Sequence, residues 1–206
     1  SPARQRALDL ALRGFVLGGA ELQGEAKARF AAIQEEHAAK SQAFSEHVMD
    51  ATDAYSCYVR ADELAGVPED VLHATRAAAE AEGKEGHKLT LHMPCYLPVM
   101  QYASNRALRE TMYRAYATRA AEFGPEERDN SALMSDLLAL RQEEARLLGY
   151  ASYAEVSLVP KMADSPDQVM HFLRDLAQRA RPFAEKDMAE LRDFARTECD
   201  LPDLQA

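Results

Sequence analysis

The chain has 206 residues, 47% of them apolar and 28% charged, which is typical of a globular protein with enough residues for a core. With only nine glycines and nine prolines, and many alanines, leucines, glutamates and arginines, the composition favours helices over an all-β or low-complexity chain. The net charge of −10 disfavours a nucleic-acid partner, because the phosphates would be repelled.

The cysteine pattern favours a reducing compartment. Cys57, Cys95 and Cys199 are widely and irregularly spaced, with no Cys-x-x-Cys pair and no disulfide framework, so we expect a cytoplasmic protein. No apolar run reaches the length of a membrane span, and the first residues do not resemble a signal peptide. Because the chain starts with Ser-Pro and ends with Leu-Gln-Ala, we also expect a fragment of a longer protein.

Helices are predicted along the first part of the chain. A short helix covers residues 4–15, and the glycines at 18 and 19 end it. The longest helix runs over about residues 24–58, where apolar residues recur at steps of three, four or seven. A third helix starts at Pro68, which suits the first helical position, and reaches about residue 82.

The helical pattern breaks within residues 88–119. Leu89–Leu91 is predicted to form a strand, and this strand needs a partner because it cannot satisfy its own backbone groups. The nearest candidate partner is the segment at residues 58–60. Pro94 and Pro98 are expected to hold the residues after the strand in an extended conformation.

Three further helices complete the prediction. One covers residues 106–122 behind a cap at Ser104 or Asn105, and a second runs from residues 129–131 to Gly149. The last starts at Ser165, with Gln168 expected to complete a capping box. The fold class is therefore all-α, with long amphipathic helices, one small strand element and a single region over residues 1–206.

Few residues suggest a metal site or an active site. His87, His92 and Cys95 are the closest cluster of metal-ligand types, but histidines five apart on a strand face opposite sides and no fourth ligand is nearby. Asp70-x-x-His73 stands alone, whereas a di-iron bundle needs two such motifs. The sequence contains no H-E-x-x-H, no nucleophile elbow and no phosphate-binding glycine loop. No metal is therefore expected in this chain.

A denser group of tyrosines and arginines lies within residues 96–119. Tyr113 and Tyr116 are neighbours on one helix face, and Arg109 and Arg119 belong to the same predicted helix. Arginine forks on this face could contact the carboxylates or carbonyls of a peptide. The alternative, which we favour, is that these side chains pack between helices and reach solvent at their polar ends.

An ordered set of motifs resembles a known family. The motifs follow one another at residues 48–52 (VMDAT), 63–68 (ELAGVP), 96–100 (YLPVM), 109–119 (RETMYRAYATR), 147–155 (LLGYASYAE) and 161–163 (KMA). Together they resemble the thimet oligopeptidase and oligopeptidase A family of zinc metallopeptidases. The likeness extends over nearly the whole chain and rests on the order and spacing of the motifs.

The resemblance implies an almost entirely helical enzyme whose two lobes flank a channel that admits short peptides and excludes folded proteins. It also implies a zinc ion held by the two histidines of H-E-x-x-H and a downstream glutamate, and none of these residues maps onto this chain. We therefore expect a non-catalytic, zinc-free part of the N-terminal channel-wall lobe, with short peptides and the remainder of the same chain as partners. Tyr113, Tyr116, Arg109 and Arg119 are the candidate channel residues.

Two rival hypotheses remain at this point. The chain could be a stand-alone helical module that grips a partner protein with its amphipathic helices. It could also be a metal-dependent helical enzyme in its own right. A catalytic continuation containing H-E-x-x-H would separate the first reading from both rivals.

Overall fold

The computed structural model describes residues 1–204 and confirms a mostly helical fold with one two-stranded sheet. Short 3₁₀ helices cover Ala61–Leu64 and Glu126–Arg128. In chain order the main elements are α1 (Pro2–Leu17), α2 (Gly24–Asp53), β1 (Cys57–Val59), α3 (Glu69–Glu80), β2 (His87–Leu89), α4 (Met93–Tyr102), α5 (Arg106–Ala117), α6 (Ser131–Leu147), α7 (Tyr153–Leu158) and α8 (Pro166–Glu198). Among residues 1–204, none of the helices combines the length and the hydrophobicity that a membrane span requires.

The long helix α2 ends earlier than its apolar spacing predicts. The prediction extended this helix to residue 58, but it stops at Asp53, and Cys57–Val59 forms a strand instead. Val59 is buried in the core, and its backbone pairs with that of His87. The extension is wrong because this strand pairing satisfies the backbone while it also buries the side chain.

The small sheet joins β1 to β2 in antiparallel order, with Cys57 opposite Leu89 and Val59 opposite His87. The predicted partner segment is confirmed, but the strand lies two residues before the predicted Leu89–Leu91. Thr90 leaves the ladder because its backbone N–H donates to the Cys95 sulfur, 3.3 Å away.

The residues after the sheet form a helix, not the extended segment that their prolines suggested. Pro94 lies in the first turn of α4, where a missing N–H costs nothing. Pro98 lies inside the helix and leaves the carbonyl of Pro94 without its usual donor. Burial of Tyr96 and Val99 on the core side of α4 offsets that loss.

The end signals of the helices are mostly confirmed. The Asn105 side chain accepts a hydrogen bond from the Leu108 N–H at 3.2 Å, and the Ser165 side chain accepts one from the Gln168 N–H at 3.1 Å. The expected capping box at Ser165 is wrong in its second half, because Gln168 accepts from the N–H of Asp164 instead, at 2.6 Å. The short helix α7 was not predicted from the sequence.

The described chain divides into two compact units. Unit 2 comprises residues 28–141, and unit 1 comprises residues 1–27 together with the chain from Gln142 onward. The two units differ in how much they bury: α1 buries no side chain, and α8 buries only Ala195. The main core lies in unit 2 and consists of Val59, Leu64, Val67, Leu89, Leu91, Tyr96, Val99, Ala103, Leu108 and Met112. The assignment of the whole chain to one lobe stays a prediction.

A buried asparagine organises the start of α6 in unit 2. Asn130 is 2% exposed, and its side-chain amide donates to the Phe44 carbonyl at 3.0 Å. Its side-chain oxygen lies 2.8 Å from Nδ1 of His47, and its backbone N–H donates to the Ala120 carbonyl at 3.0 Å. Because each polar group has a partner, this buried side chain can fasten α2 to the loop before α6.

Candidate functional site

Three of the candidate channel residues lie on α5, which packs its apolar side into the core of unit 2, and Arg119 lies two residues after the end of this helix. Leu108 and Met112 are buried on that side. The opposite side is rich in polar and aromatic residues, because the apolar positions recur every three or four residues. The helix therefore presents the candidate residues at fixed positions on a well-packed support.

Tyr116 and Arg119 belong to a stacked group that joins three helices. The rings of Tyr96 and Tyr116 stack with centroids 4.3 Å apart and planes 16° from parallel. The Arg119 guanidinium lies over the Tyr116 ring, 3.7 Å from the ring centroid. The pKa of Tyr96 is raised, first because burial disfavours the phenolate and then through the nearby tyrosines, and Arg119 partly opposes this rise.

Arg119 also links α5 to α2. Its Nη1 donates to the Thr52 hydroxyl at 2.8 Å, and its Nε donates to the Tyr116 carbonyl at 2.9 Å. The Thr52 hydroxyl in turn donates to the Val48 carbonyl at 2.7 Å. Two acceptors, the Thr52 hydroxyl and the Tyr116 carbonyl, and one ring face thus hold the guanidinium, which is the packing role that the sequence favoured.

Arg109 is held by the end of the preceding helix. Its Nη1 donates to the carbonyl of Ala103 at 2.5 Å, and Ala103 is the residue that closes α4. The last carbonyls of a helix have no partner within that helix, so an arginine here supplies a missing donor. Arg109 is half-buried, and this hydrogen bond gives its guanidinium a structural role at the end of α4.

Tyr113 differs from the other three candidates, because 59% of it is exposed and its hydroxyl makes no hydrogen bond within residues 1–204. Two more large side chains on α4 are also about half exposed, Leu97 at 46% and Tyr102 at 54%. The structure therefore leaves Tyr113 as the candidate with a side chain available to a ligand. Whether any of the four contacts a peptide stays a prediction.

A groove beside α5 was not anticipated from the sequence. It has a volume of about 440 Å³. Its lining residues are Tyr55, Glu110, Thr111, Arg114, Ala115, Thr118 and Phe123. Burial, followed by the nearby Cys57 thiol, raises the pKa of Tyr55 to about 12. The hydroxyl of Tyr55 donates to the Met112 sulfur at 3.7 Å. No sequence signal joined Phe123 to Tyr55, because only the fold brings them together.

The three candidate metal ligands point to separate partners. His87 is 2% exposed and its Nδ1 lies 3.0 Å from the Thr75 hydroxyl. The exposed His92 pairs with Asp53 at 3.3 Å, and the Cys95 sulfur accepts the Thr90 N–H. Across residues 1–204 no group of three or more His, Cys, Asp or Glu side chains could hold a metal ion.

The other polar residues singled out by the sequence also have local partners. His37 accepts a hydrogen bond from Nε of Arg141 at 3.1 Å, which links α2 to α6 within unit 2. His73 lies on an exposed helix face, 3.8 Å from Glu69. Neither histidine lies in a set of groups arranged for acid–base chemistry.

Comparison with known proteins identifies the family. The family model for Peptidase family M3 matches residues 99–206, a little over half of the chain. The chain belongs to peptidase family M3. This membership confirms the resemblance to the thimet oligopeptidase and oligopeptidase A family that the ordered motifs indicated.

Individual M3 relatives match almost the entire chain. Oligopeptidase A from Salmonella typhimurium and oligopeptidase A from Escherichia coli are each 48% identical over 206 residues, covering 98% of this chain. Saccharolysin from Saccharomyces cerevisiae is 29% identical and covers 88%. The chain spans only about 30% of the length of the two bacterial relatives.

Proposed function

We propose that this chain is the N-terminal, non-catalytic part of a cytoplasmic zinc metalloendopeptidase that hydrolyses short peptides. The observation that carries the proposal is the 48% identity to two proteins named oligopeptidase A over 98% of the chain. Such identity over the whole matched length supports a shared fold and a shared place in the enzyme. The remaining 70% or so of such a relative has room for a catalytic region.

The described residues do not fit a zinc site. They contain no suitable cluster of ligands, and the full sequence has no H-E-x-x-H. Under this proposal the zinc ion and the water that it activates belong to another part of the enzyme. This chain would form part of the wall of the peptide channel, and its residues would take part in no step of the hydrolysis.

Within that role, we assign the exposed side of α4 and α5 to the channel wall. Tyr113 supplies an exposed ring whose hydroxyl has no hydrogen-bond partner among residues 1–204, which suits contact with a peptide backbone or an apolar side chain. Tyr116, Arg119 and Arg109 support this wall through their bonds to α2, α4 and α5. Tyr113 is therefore the residue on which to test contact with peptides.

A chimeric protein, called the joined protein from here on, tests the proposal. This chain would replace the matching segment of E. coli oligopeptidase A, and hydrolysis of a short fluorogenic peptide would be measured. We expect chelator-sensitive hydrolysis by the joined protein, none by the 206-residue chain alone, and no cleavage of a folded protein substrate. Chelator-sensitive hydrolysis by the isolated chain would show that the proposed division of labour is wrong.

The place of Tyr113 in the channel wall can be tested by the kinetics of the joined protein. Tyr113→Ala should raise KM for the peptide by about threefold to tenfold with kcat nearly unchanged, because it removes binding that is equal in the ground and transition states. Thr111→Ala, an exposed position two residues away on another side of α5, is the matched control and should leave both constants unchanged. Equal effects of the two substitutions on KM would show that Tyr113 does not line the channel.

A stand-alone interaction module is the second candidate function, and one observation favours it. The long helix α8 exposes several large apolar side chains that a partner protein could cover. Under this alternative the joined protein would show no peptidase activity, and the isolated chain would bind a separate protein.

A further inference from the structure

The longest helix of unit 1 has an apolar side that nothing in the described chain covers. Its large side chains recur at spacings of three, four, seven or eight residues, so they lie along one side of α8. Each of them is between 50% and 71% exposed. This apolar face of α8 consists of Phe172, Leu173, Leu176, Phe183, Leu191 and Phe194.

The exposed area is large for a protein surface without a function. A big apolar side chain has roughly 150–250 Å² of surface, so six half-exposed side chains leave on the order of 600 Å² uncovered. The largest apolar patch of an ordinary monomer is about 300–600 Å². The same area is close to one partner's share of a standard protein interface, roughly 800 Å².

Several charges on α8 pair within the helix, some at the edge of the apolar face and some opposite it. These pairs join side chains four residues apart, which face each other on a helix surface. The pairs are Arg179–Asp175 at 2.9 Å, Arg181–Glu185 at 2.7 Å and Lys186–Glu190 at 3.6 Å. The six side chains of the apolar face offer apolar contact, and the charges of Arg179 and Glu190 beside them are already paired, so the occupant of this face is recognised mainly by apolar contact.

A second copy of this chain is a poor occupant. Each copy carries a net charge of −10, so two copies repel each other as they associate. An interface of about 600 Å² per copy also falls below the 1,000 Å² or more per side that is common in obligate homodimers. The residues that the longer relatives have in addition are better placed, because they make up about 70% of each relative and belong to the same polypeptide.

We infer that the apolar face of α8 is the docking surface for the part of the M3 peptidase that lies outside this chain. The occupant is an apolar surface of the remaining polypeptide, with few charges where it meets Phe172, Phe183 and Phe194. This inference rests on the proposed function. It goes further because it names the face through which the channel-wall part is held by the rest of the enzyme.

Hydroxyl-radical footprinting of the 206-residue chain and of the joined protein tests the inference. The reactivity towards hydroxyl radicals should fall by about fivefold or more at Phe172, Phe183 and Phe194 in the joined protein. His171 lies on the polar side of α8 and is the internal control, with unchanged reactivity. Unchanged phenylalanine reactivity in a joined protein that hydrolyses peptides would overturn the docking inference alone, whereas an inactive joined protein with protected phenylalanines would overturn the proposed function alone.

A matched pair of substitutions gives a second measurement. Phe183→Glu should leave the melting temperature of the isolated chain nearly unchanged, because the side chain is exposed there, and should lower that of the joined protein by about 5 °C. Gln178→Glu, on the polar side, should change neither. A joined protein that fails to fold counts against the inference, since the face would then not fit the remaining residues. Protection that grows with concentration in the isolated chain assigns the face to a second copy and also overturns it.

Discussion

At the scale of single residues, two glycines with similar backbone conformations have different surroundings. Gly66 has φ +93°, and a side-chain carbon added there would overlap the carbonyl oxygen of Tyr102. Gly83 has φ +67°, with no atom within 4 Å of the same position. Both conformations strain an L-residue, but only Gly66 also allows a close approach between the start of α3 and the end of α4.

Gly66→Ala should therefore lower the free energy of unfolding by about 3 kcal/mol or more, from backbone strain together with the steric overlap. Gly83→Ala is the matched control and should cost only about 1–2 kcal/mol, from the strain alone. Urea unfolding followed by circular dichroism measures both losses. Equal losses would mean that the contact between Gly66 and Tyr102 does not restrict the backbone.

At the scale of secondary-structure elements, the position of α5 depends on one arginine. Arg119 lies on the Tyr116 ring and donates to the Thr52 hydroxyl of α2, a residue 67 positions earlier in the chain. A lysine keeps the positive charge but has neither a planar group to stack on the ring nor enough fixed donors for both oxygens. The arrangement of α5 against α2 is therefore sensitive to the shape of this side chain as well as to its charge.

Arg119→Lys should lower the free energy of unfolding by about 1–2 kcal/mol. Arg114→Lys on α5 is the control, because Arg114 is exposed and, among residues 1–204, its side chain pairs only with the exposed Glu110, at 3.2 Å. That substitution should stay within about 0.5 kcal/mol of the parent chain. If the two lysine variants are equally stable in urea unfolding, the stacked group does not hold α5 in place.

At the scale of the whole molecule, burial is concentrated in unit 2. Leu89, Val99 and Met112 are fully buried there, whereas α8 in unit 1 buries only Ala195. Regions with few buried apolar contacts open more easily than a packed core. The isolated chain should therefore have one stable unit and one that opens more often.

Hydrogen exchange of the isolated chain should show this difference directly. We expect the amides of Val99 and Met112 to exchange at least about a hundredfold more slowly than those in the middle of α8, because core amides open only with global unfolding. Mass spectrometry of the exchanged chain measures both. Equal protection in α8 and in the core of unit 2 would show that α8 is stabilised by contacts other than side-chain burial.

Several features of this protein could be predicted because their causes are local in the sequence. Asn105 and Ser165 cap helices with their own side chains, and in each case the backbone N–H three residues later is the donor. The helical content follows from composition and apolar spacing. The family could be predicted as well, since the order of six short motifs does not depend on how they pack.

Other features depended on partners that are distant in the chain. The spacing that predicts helix over residues 54–58 is overruled by pairing with His87–Leu89, and the prolines of α4 are accommodated because Tyr96 and Val99 are buried. The candidate arginines and tyrosines could not be sorted from sequence, because Arg119 is held by Thr52 and Arg109 by Ala103, while Tyr113 stays exposed.

The sequence by itself therefore determined the helical class, most helix starts and the family, because hydrogen bonds between near neighbours and the order of residues set these features. Only the tertiary structure decided where α2 ends, which polar side chains serve the fold and which remain available. It also decided that the apolar side of α8 is left uncovered by the part of the chain that the structure describes. The physical reason is that burial and side-chain pairing depend on residues that the fold, and not the sequence order, makes neighbours.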